Sequence, residues 1–147
     1  MKSNQRGYTL LELVGVSLLI ALLVSSVQIS NKMLKEVTLK AKVSEVVEGI
    51  EYMKQSAVAT GNWYALMYSN QSIWFVKQPG DALFKVELGQ NITVRAPVTG
   101  AYFFKFSGTM APSKADTLIL KDQSLGKQAR ITLGVATGKI RVYYETI

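Results

Sequence analysis

The chain of 147 residues contains neither cysteine nor histidine. The lack of cysteine excludes a disulfide framework, thiolate metal sites and cysteine nucleophiles. The lack of histidine removes the commonest general base and the commonest metal ligand. Serine and threonine are present, but they have no imidazole to activate them. We therefore predict a protein that is not an enzyme and that uses neither a metal nor a cofactor.

Charged residues are also scarce, because Asp, Glu, Lys and Arg make up only 18% of the chain. Typical soluble domains reach about 25%. Hydrophobic residues reach 48% and are concentrated between residues 10 and 29, which indicates an apolar segment joined to an ordinary domain. The formal net charge of +7 is compatible with nucleic acid or anionic lipid as a partner, but it defines no site.

A short polar leader at residues 1–7, which carries Lys2 and Arg6, precedes an apolar run at residues 8–27. About 20 residues of helix span roughly 30 Å, the thickness of a hydrocarbon core. A positive leader stays in the cytoplasm while the rest of the chain is exported. We therefore predict the transmembrane half of a helix at residues 8–28 and a domain outside the cytoplasm.

One carboxylate, Glu12, interrupts the apolar run. A charged side chain at the centre of a bilayer costs about 2.5 kcal/mol or more, and less near the end of the span. A cleavable secretory signal or a plain signal anchor would each explain the leader and the apolar run. Neither explains the glutamate, although both remain as alternatives in which the protein is exported and unrelated to filaments.

Residues 7–13 read Gly-Tyr-Thr-Leu-Leu-Glu-Leu and resemble the processing site of type IV prepilins. The resemblance implies that a prepilin peptidase cuts after Gly7 and that Tyr8 becomes the methylated N-terminus. The family usually has phenylalanine at the place of Tyr8, and tyrosine keeps the aromatic ring. Glu12 then matches the glutamate that the family keeps at its fifth mature position. Its implied role is in assembly, where it pairs with the N-terminal amine of a neighbouring subunit, since a buried carboxylate needs a partner.

Beyond the apolar run, hydrophobic residues recur at spacings of three and four, as they do along one face of a helix. The predicted stripe contains Leu34, Val37, Ala41, Val47, Ile50, Met53 and Ala57. No proline interrupts this segment, and Gly61 is suited to a left-handed C-terminal cap. The pattern predicts an amphipathic half of the helix at residues 29–61, whose apolar stripe packs on a sheet.

Residues 62–147 have the pattern of a β-rich head, with short strands between turn signals. The predicted strands lie at residues 63–68, 72–77, 83–87, 92–95, 102–106, 117–121, 129–133 and 139–144. The predicted fold class is α+β and type IV pilin-like. In it, a long N-terminal helix, first transmembrane and then amphipathic, packs on a C-terminal antiparallel β-sheet head.

The chain ends in a strand with the pattern glycine, basic, apolar, basic, at Gly138 to Arg141. This layout is similar to the H-type minor pseudopilins of type II secretion and the related FimT minor pilins, and Gram-positive competence pseudopilins have the same general build. Their usual closing motif has arginine where this chain has Lys139. The resemblance implies a minor pilin or pseudopilin of a type II secretion system, a type IV pilus or a competence pseudopilus, and the sequence does not separate these systems.

The implied partners are other pilin subunits, the prepilin peptidase and the inner-membrane assembly platform. The implied location is the cytoplasmic (inner) membrane, with incorporation into a filament.

Some FimT-type pilins bind DNA through the final basic motif, so the resemblance adds DNA uptake as an alternative function. Lys127, Arg130, Lys139 and Arg141 fall within the last predicted hairpin, and strand alternation places Lys139 and Arg141 on one face. Phosphate contacts by such residues are independent of base sequence and sensitive to salt. The competing interpretation is a solvated strand face that protects a sheet edge from aggregation.

Overall fold

The computed structural model describes residues 9–69, 71–77, 81–95, 102–108, 111–113 and 116–147, and for residues 26–30 it describes the backbone. The chain divides into two compact units, Met1–Glu36 and Val37–Ile147, and each is considered by itself. The processing residues Gly7 and Tyr8 lie outside the described residues.

Within those ranges, one helix, α1 (Leu10–Thr60), is followed by eight strands. The strands are β1 (Trp63–Tyr68), β2 (Ser72–Lys77), β3 (Asp81–Glu87), β4 (Ile92–Arg95), β5 (Phe103–Ser107), β6 (Asp116–Asp122), β7 (Lys127–Leu133) and β8 (Ile140–Thr146). Every predicted strand is present, and the predicted ends of β1, β2 and β4 coincide with the observed ones. The end of α1 is also as predicted, because Gly61 has a φ of +68° and its N–H donates to the carbonyl of Ala57 at 3.0 Å.

The strands form two antiparallel sheets of four strands each. The first sheet has the order β3-β2-β1-β5, and the second has the order β4-β6-β7-β8. The pairs β1–β2, β2–β3, β6–β7 and β7–β8 join neighbours in sequence, whereas β5 reaches β1 and β4 reaches β6 across longer connections. This arrangement confirms the predicted α+β fold class.

In the unit Val37–Ile147, one row of α1 side chains enters the core beside both sheets. The buried row consists of Leu39, Val43, Val46, Ile50, Met53 and Ala57. The predicted stripe was correct for its last three members and wrong for its beginning, since Leu34, Val37 and Ala41 are exposed. The helix carries two apolar rows at helical spacing, and periodicity alone does not reveal which row faces the sheets.

The backbone of α1 comes close to the first sheet at Gly49, which is buried against Phe75 of β2. A Cβ atom added at Gly49 would lie 2.4 Å from the Cζ atom of Phe75. Phe75 is fully buried and stacks on Phe84 of β3, with ring centroids 4.4 Å apart. The ring therefore has little room to retreat, and only glycine fits at this point of the helix.

We expect Gly49→Ala to lower the free energy of unfolding by about 1–3 kcal/mol, because the added methyl group overpacks the core against Phe75. Urea denaturation monitored by circular dichroism measures this change. Gly15→Ala is the matched control, since its added Cβ meets nothing within 4 Å and alanine favours the helix by about 0.5–1 kcal/mol. Equal unfolding midpoints for Gly49→Ala and the wild type would contradict the proposed close contact.

Candidate functional site

The first turn of α1 holds Glu12 in a capping arrangement that the sequence analysis missed. The N–H of Glu12 donates to the Oγ1 atom of Thr9 at 3.3 Å and to its carbonyl oxygen at 3.0 Å. Thr9 is thus the N-cap, and Thr-x-x-Glu is the spacing of a capping box. A carboxylate in the first turn also interacts favourably with the helix dipole. Glu12 therefore stabilises the start of α1, in addition to the assembly role implied by the family resemblance.

An exposed apolar surface lies on both sides of Glu12 in the N-terminal part of α1. We call it the bare helix surface, and its large members are Leu10, Leu11, Leu13, Val14, Val16, Leu18, Leu19, Ile20, Leu22, Leu23 and Val24. The hydroxyls of Ser17 and Ser25 donate to the carbonyls of Leu13 and Ala21, each at 2.8 Å, so that polar groups of this segment are satisfied within the helix. Monomeric soluble proteins rarely expose a contiguous apolar patch of this kind, which marks it as an interaction surface.

In the part of the chain that the structure describes, no helical stretch combines the length and the hydrophobicity needed to cross a membrane. The transmembrane span predicted at residues 8–28 therefore has no support from the described helix.

The β7–β8 hairpin does not gather the four basic residues into one patch. Arg130 lies on the outer face of the second sheet, whereas Lys127 has the same parity as the buried Ala129 and so lies on the opposite face. The Nη2 atom of Arg130 is 3.0 Å from the Oε2 atom of Glu145, which largely neutralises its charge. Lys139 and Arg141 are exposed, and no ion pair involves either of them among the described residues.

The turn before β8 is held by a lysine that the sequence did not single out. The Nζ atom of Lys54, on α1, donates to the carbonyl of Gly138 at 3.3 Å and pairs with Glu51 at 2.6 Å. Within the hairpin, the N–H of Gly138 donates to the carbonyl of Gly134 at 2.8 Å. The position of the closing basic motif is thus tied to the helix as well as to β7.

The outer face of the first sheet carries a shallow groove of about 400 Å³ lined by Met67, Trp74, Val76, Ala82 and Tyr102. Lysines cover the nearby aromatic rings: the Nζ atom of Lys85 lies 5.1 Å from the centroid of Trp74, and that of Lys105 lies 4.6 Å from the centroid of Trp63. The Lys85 ammonium hydrogen-bonds to Glu87 at 2.7 Å and lowers the pKa of that carboxyl below its usual value. Both tryptophans therefore already have a cation over the ring, which disfavours base stacking.

Acidic residues form no candidate metal centre within the described ranges. Asp122 is buried, but its Oδ1 atom accepts hydrogen bonds from the N–H and the hydroxyl of Ser124 and from the N–H of Leu125. These bonds close the turn between β6 and β7, as expected for an aspartate in a turn. The predicted absence of catalysis and of a cofactor stays a prediction.

No protein-family model matches this sequence, and no curated protein matches it either. Among solved structures, its fold is similar to that of the minor pseudopilin EpsH from the type II secretion system of Vibrio cholerae. The two share a TM-score of 0.60 at 12% sequence identity, over 71% of this chain and 95% of that chain. An identity this low carries information on the fold alone, and at that level the chain has the pilin-like fold that its sequence resemblance predicted.

Proposed function

We propose that this chain is a pseudopilus-type subunit whose helix packs against the helices of neighbouring subunits. The observation that carries the proposal is the bare helix surface beside Glu12, on a chain whose fold is that of a minor pseudopilin. Burial of one Leu, Ile or Val side chain stabilises an assembly by about 1.5–3 kcal/mol. A bundle of like helices would therefore gain a large part of its free energy from this surface.

Two features of the bare helix surface support close packing between helices. An added Cβ at Gly15 would meet nothing within 4 Å, so the backbone is accessible to another helix at this position. Small residues at such positions allow helices in an apolar medium to approach closely. The hydroxyls of Ser17 and Ser25 are already bonded within α1, so that burying the surface would leave them satisfied.

Within such a bundle Glu12 is the one acidic side chain of the apolar segment, and burial without a cation would be costly. Cleavage after Gly7 would create an amine at Tyr8, and the amine of a neighbouring subunit would supply the missing positive charge. The pairing would also set the axial position of an incoming subunit, because the rest of the surface is apolar and tolerates sliding.

The remaining parts of the proposal concern the location and the system. Before assembly the subunit would be held in the inner membrane by its apolar segment, with its head outside the cytoplasm, and the prepilin peptidase and the assembly platform would be its other partners. The fold likeness to EpsH supports a pseudopilus-type assembly, which includes a type II secretion pseudopilus, a type IV pilus and a competence pseudopilus as candidates.

We expect the mature protein to begin at Tyr8 with a methylated amine, as determined by mass spectrometry of protein purified from its native membranes. Cells without the prepilin peptidase should yield a chain that retains residues 1–7. A mature N-terminus near Gln28 would instead identify a secretory signal, and an uncut chain in peptidase-containing cells would identify a plain anchor. Either result would remove the filament proposal.

We expect Glu12→Ala to reduce incorporation into the filament at least tenfold, because an unpaired amine in an apolar bundle costs a few kcal/mol. The amount of subunit in the assembled fraction, relative to the total in the cell, measures this loss. Thr9→Ala is the matched control, since it removes the helix cap and leaves the carboxylate in place. Equal losses for the two variants would show that Glu12 acts through the cap, and unchanged incorporation of Glu12→Ala would refute its assembly role.

DNA binding is a second candidate, favoured only by the exposure of Lys139 and Arg141. If the hairpin contacts phosphates, the double variant Lys139→Ala with Arg141→Ala should bind double-stranded DNA roughly tenfold or more weakly at low salt. Lys127→Ala serves as the control, because that side chain lies on the other face of β7. A gel-shift titration of the full chain in detergent measures the affinity, and the absence of binding by the wild type at low salt would dismiss this candidate.

A further inference from the structure

The two sheets end in four edge strands, and three of them carry features that discourage pairing with another chain. The β2–β3 ladder shifts register between Phe75 and Val76, and the β1–β5 ladder shifts between Tyr64 and Leu66. In β5, Phe104 also has a φ of +43°, which is uncommon for a residue other than glycine. The third protected edge strand, β4 of the second sheet, has only four residues. Bulges and short strands are the usual protection of sheet edges.

The edge strand β8 has neither a bulge nor a short length, and its charged residues, Arg141 and Glu145, are of opposite sign. It has seven residues and pairs with β7 in one unbroken register, from Lys127 opposite Thr146 to Leu133 opposite Ile140. Its sequence contains no proline and no glycine. A long and regular edge of this kind is a ready template for another strand.

Two hydrogen bonds at the ends of β8 show which main-chain groups face the open side. The carbonyl of Lys139 accepts from the N–H of Gly134 at 3.1 Å, and the N–H of Ile147 donates to the carbonyl of Gly126 at 2.8 Å. Hydrogen-bonded pairs alternate along an antiparallel ladder, so the odd-numbered residues of β8 bond to β7. The main-chain N–H and C=O groups of the even-numbered residues therefore point away from β7, toward the open edge of the sheet; these residues are Ile140, Val142, Tyr144 and Thr146. Within the described ranges no other strand pairs with them.

The side chains of β8 are complementary to the same strand read in the opposite direction. On the outer face, Arg141 and Glu145 stand at equal distances on either side of Tyr143. Tyr143 and Tyr144 are 47% and 50% exposed, on opposite faces of the strand. Like charges facing each other across two strands would repel, whereas opposite charges and aromatic pairs stabilise the contact.

We propose that β8 is a self-pairing edge, through which two copies of this chain join their second sheets about a two-fold axis at Tyr143. In this register Val142 and Tyr144 exchange main-chain hydrogen bonds with Tyr144 and Val142 of the second copy. Arg141 of each copy faces Glu145 of the other, which gives two equivalent ion pairs, and the two Tyr143 rings face each other. These are positions without main-chain bonds, where opposite side chains lie closest. The interface is isologous, as in most dimers of identical chains.

Neighbouring registers satisfy the side chains less well. An axis at Tyr144 would place Arg141 opposite Ile147 and would remove both ion pairs. An axis at Val142 would place Arg141 opposite Tyr143. It would place Glu145 opposite Lys139, which precedes the strand. The proposed register is also independent of the helix, so it does not rest on the filament proposal.

The absence of cysteine makes a direct cross-linking test available. The full chain in detergent micelles would be oxidised mildly as two single variants, Tyr143→Cys and Tyr144→Cys. We expect several-fold more disulfide-linked dimer for Tyr143→Cys, because a disulfide needs Cα atoms roughly 4.4–6.8 Å apart and the axis brings the two positions within that range. Tyr144→Cys is the matched control, equally exposed but opposite Val142 of the second copy. Equal cross-linking of the two variants, or more for Tyr144→Cys, would overturn the proposal.

A charge exchange tests the register in the Tyr143→Cys background. Arg141→Glu alone and Glu145→Arg alone should each lose most of the cross-linked dimer, since each places like charges opposite one another. A mixture of the two, one of them tagged, should restore a linked heterodimer, because every facing pair is again of opposite sign. Glu145→Arg also loses the bonds of the carboxylate to Arg130 and Gln128, so thermal unfolding is compared first. Failure of the mixture to cross-link while both variants remain folded would refute the ion pairs and the axis.

Discussion

The backbone of α1 lies against the ring of Phe75 at Gly49, and the head depends on this contact between helix and sheet. Gly49 lies within the helical segment from Leu39 to Ala57, whose buried row belongs to the core. Phe75 in turn stacks on Phe84, which meets Tyr52 of the helix edge-on at 5.9 Å. The helix thus supplies one wall of the core, and the first sheet could not bury its inner face without it.

The same helix cannot bury all of its apolar residues within one subunit. In the unit Val37–Ile147, the row that contains Val37 and Ala41 remains exposed while the row that contains Leu39 and Val43 is buried. In the unit Met1–Glu36, the bare helix surface is exposed throughout. A chain that leaves so much apolar surface in water gains stability by association, and this is the physical basis of the subunit role proposed above.

The described ion pairs join residues that are close in sequence or that lie on neighbouring strands. Lys42 pairs with Glu45, Lys85 with Glu87, and Arg130 with Glu145. Exposed pairs of this kind contribute little to the stability of the fold. The cations that are not in such pairs are the ones available to bind a partner. Arg141 is one of these, and its position on β8 makes it available either to a phosphate or to Glu145 of a second copy.

Local sequence determined the elements of this protein. The helix, its end at Gly61 and all eight strands were predicted, because helical spacing, turn residues and strand alternation act over a few neighbouring residues. The Thr9 cap could also have been found, since Thr-x-x-Glu before an apolar run is a local signal. Only the tertiary structure decided the order of the strands in the sheets and the choice of buried row on α1. Those features depend on contacts between residues far apart in the chain, such as Phe106 with Tyr64 and Lys54 with Gly138, for which no local pattern exists.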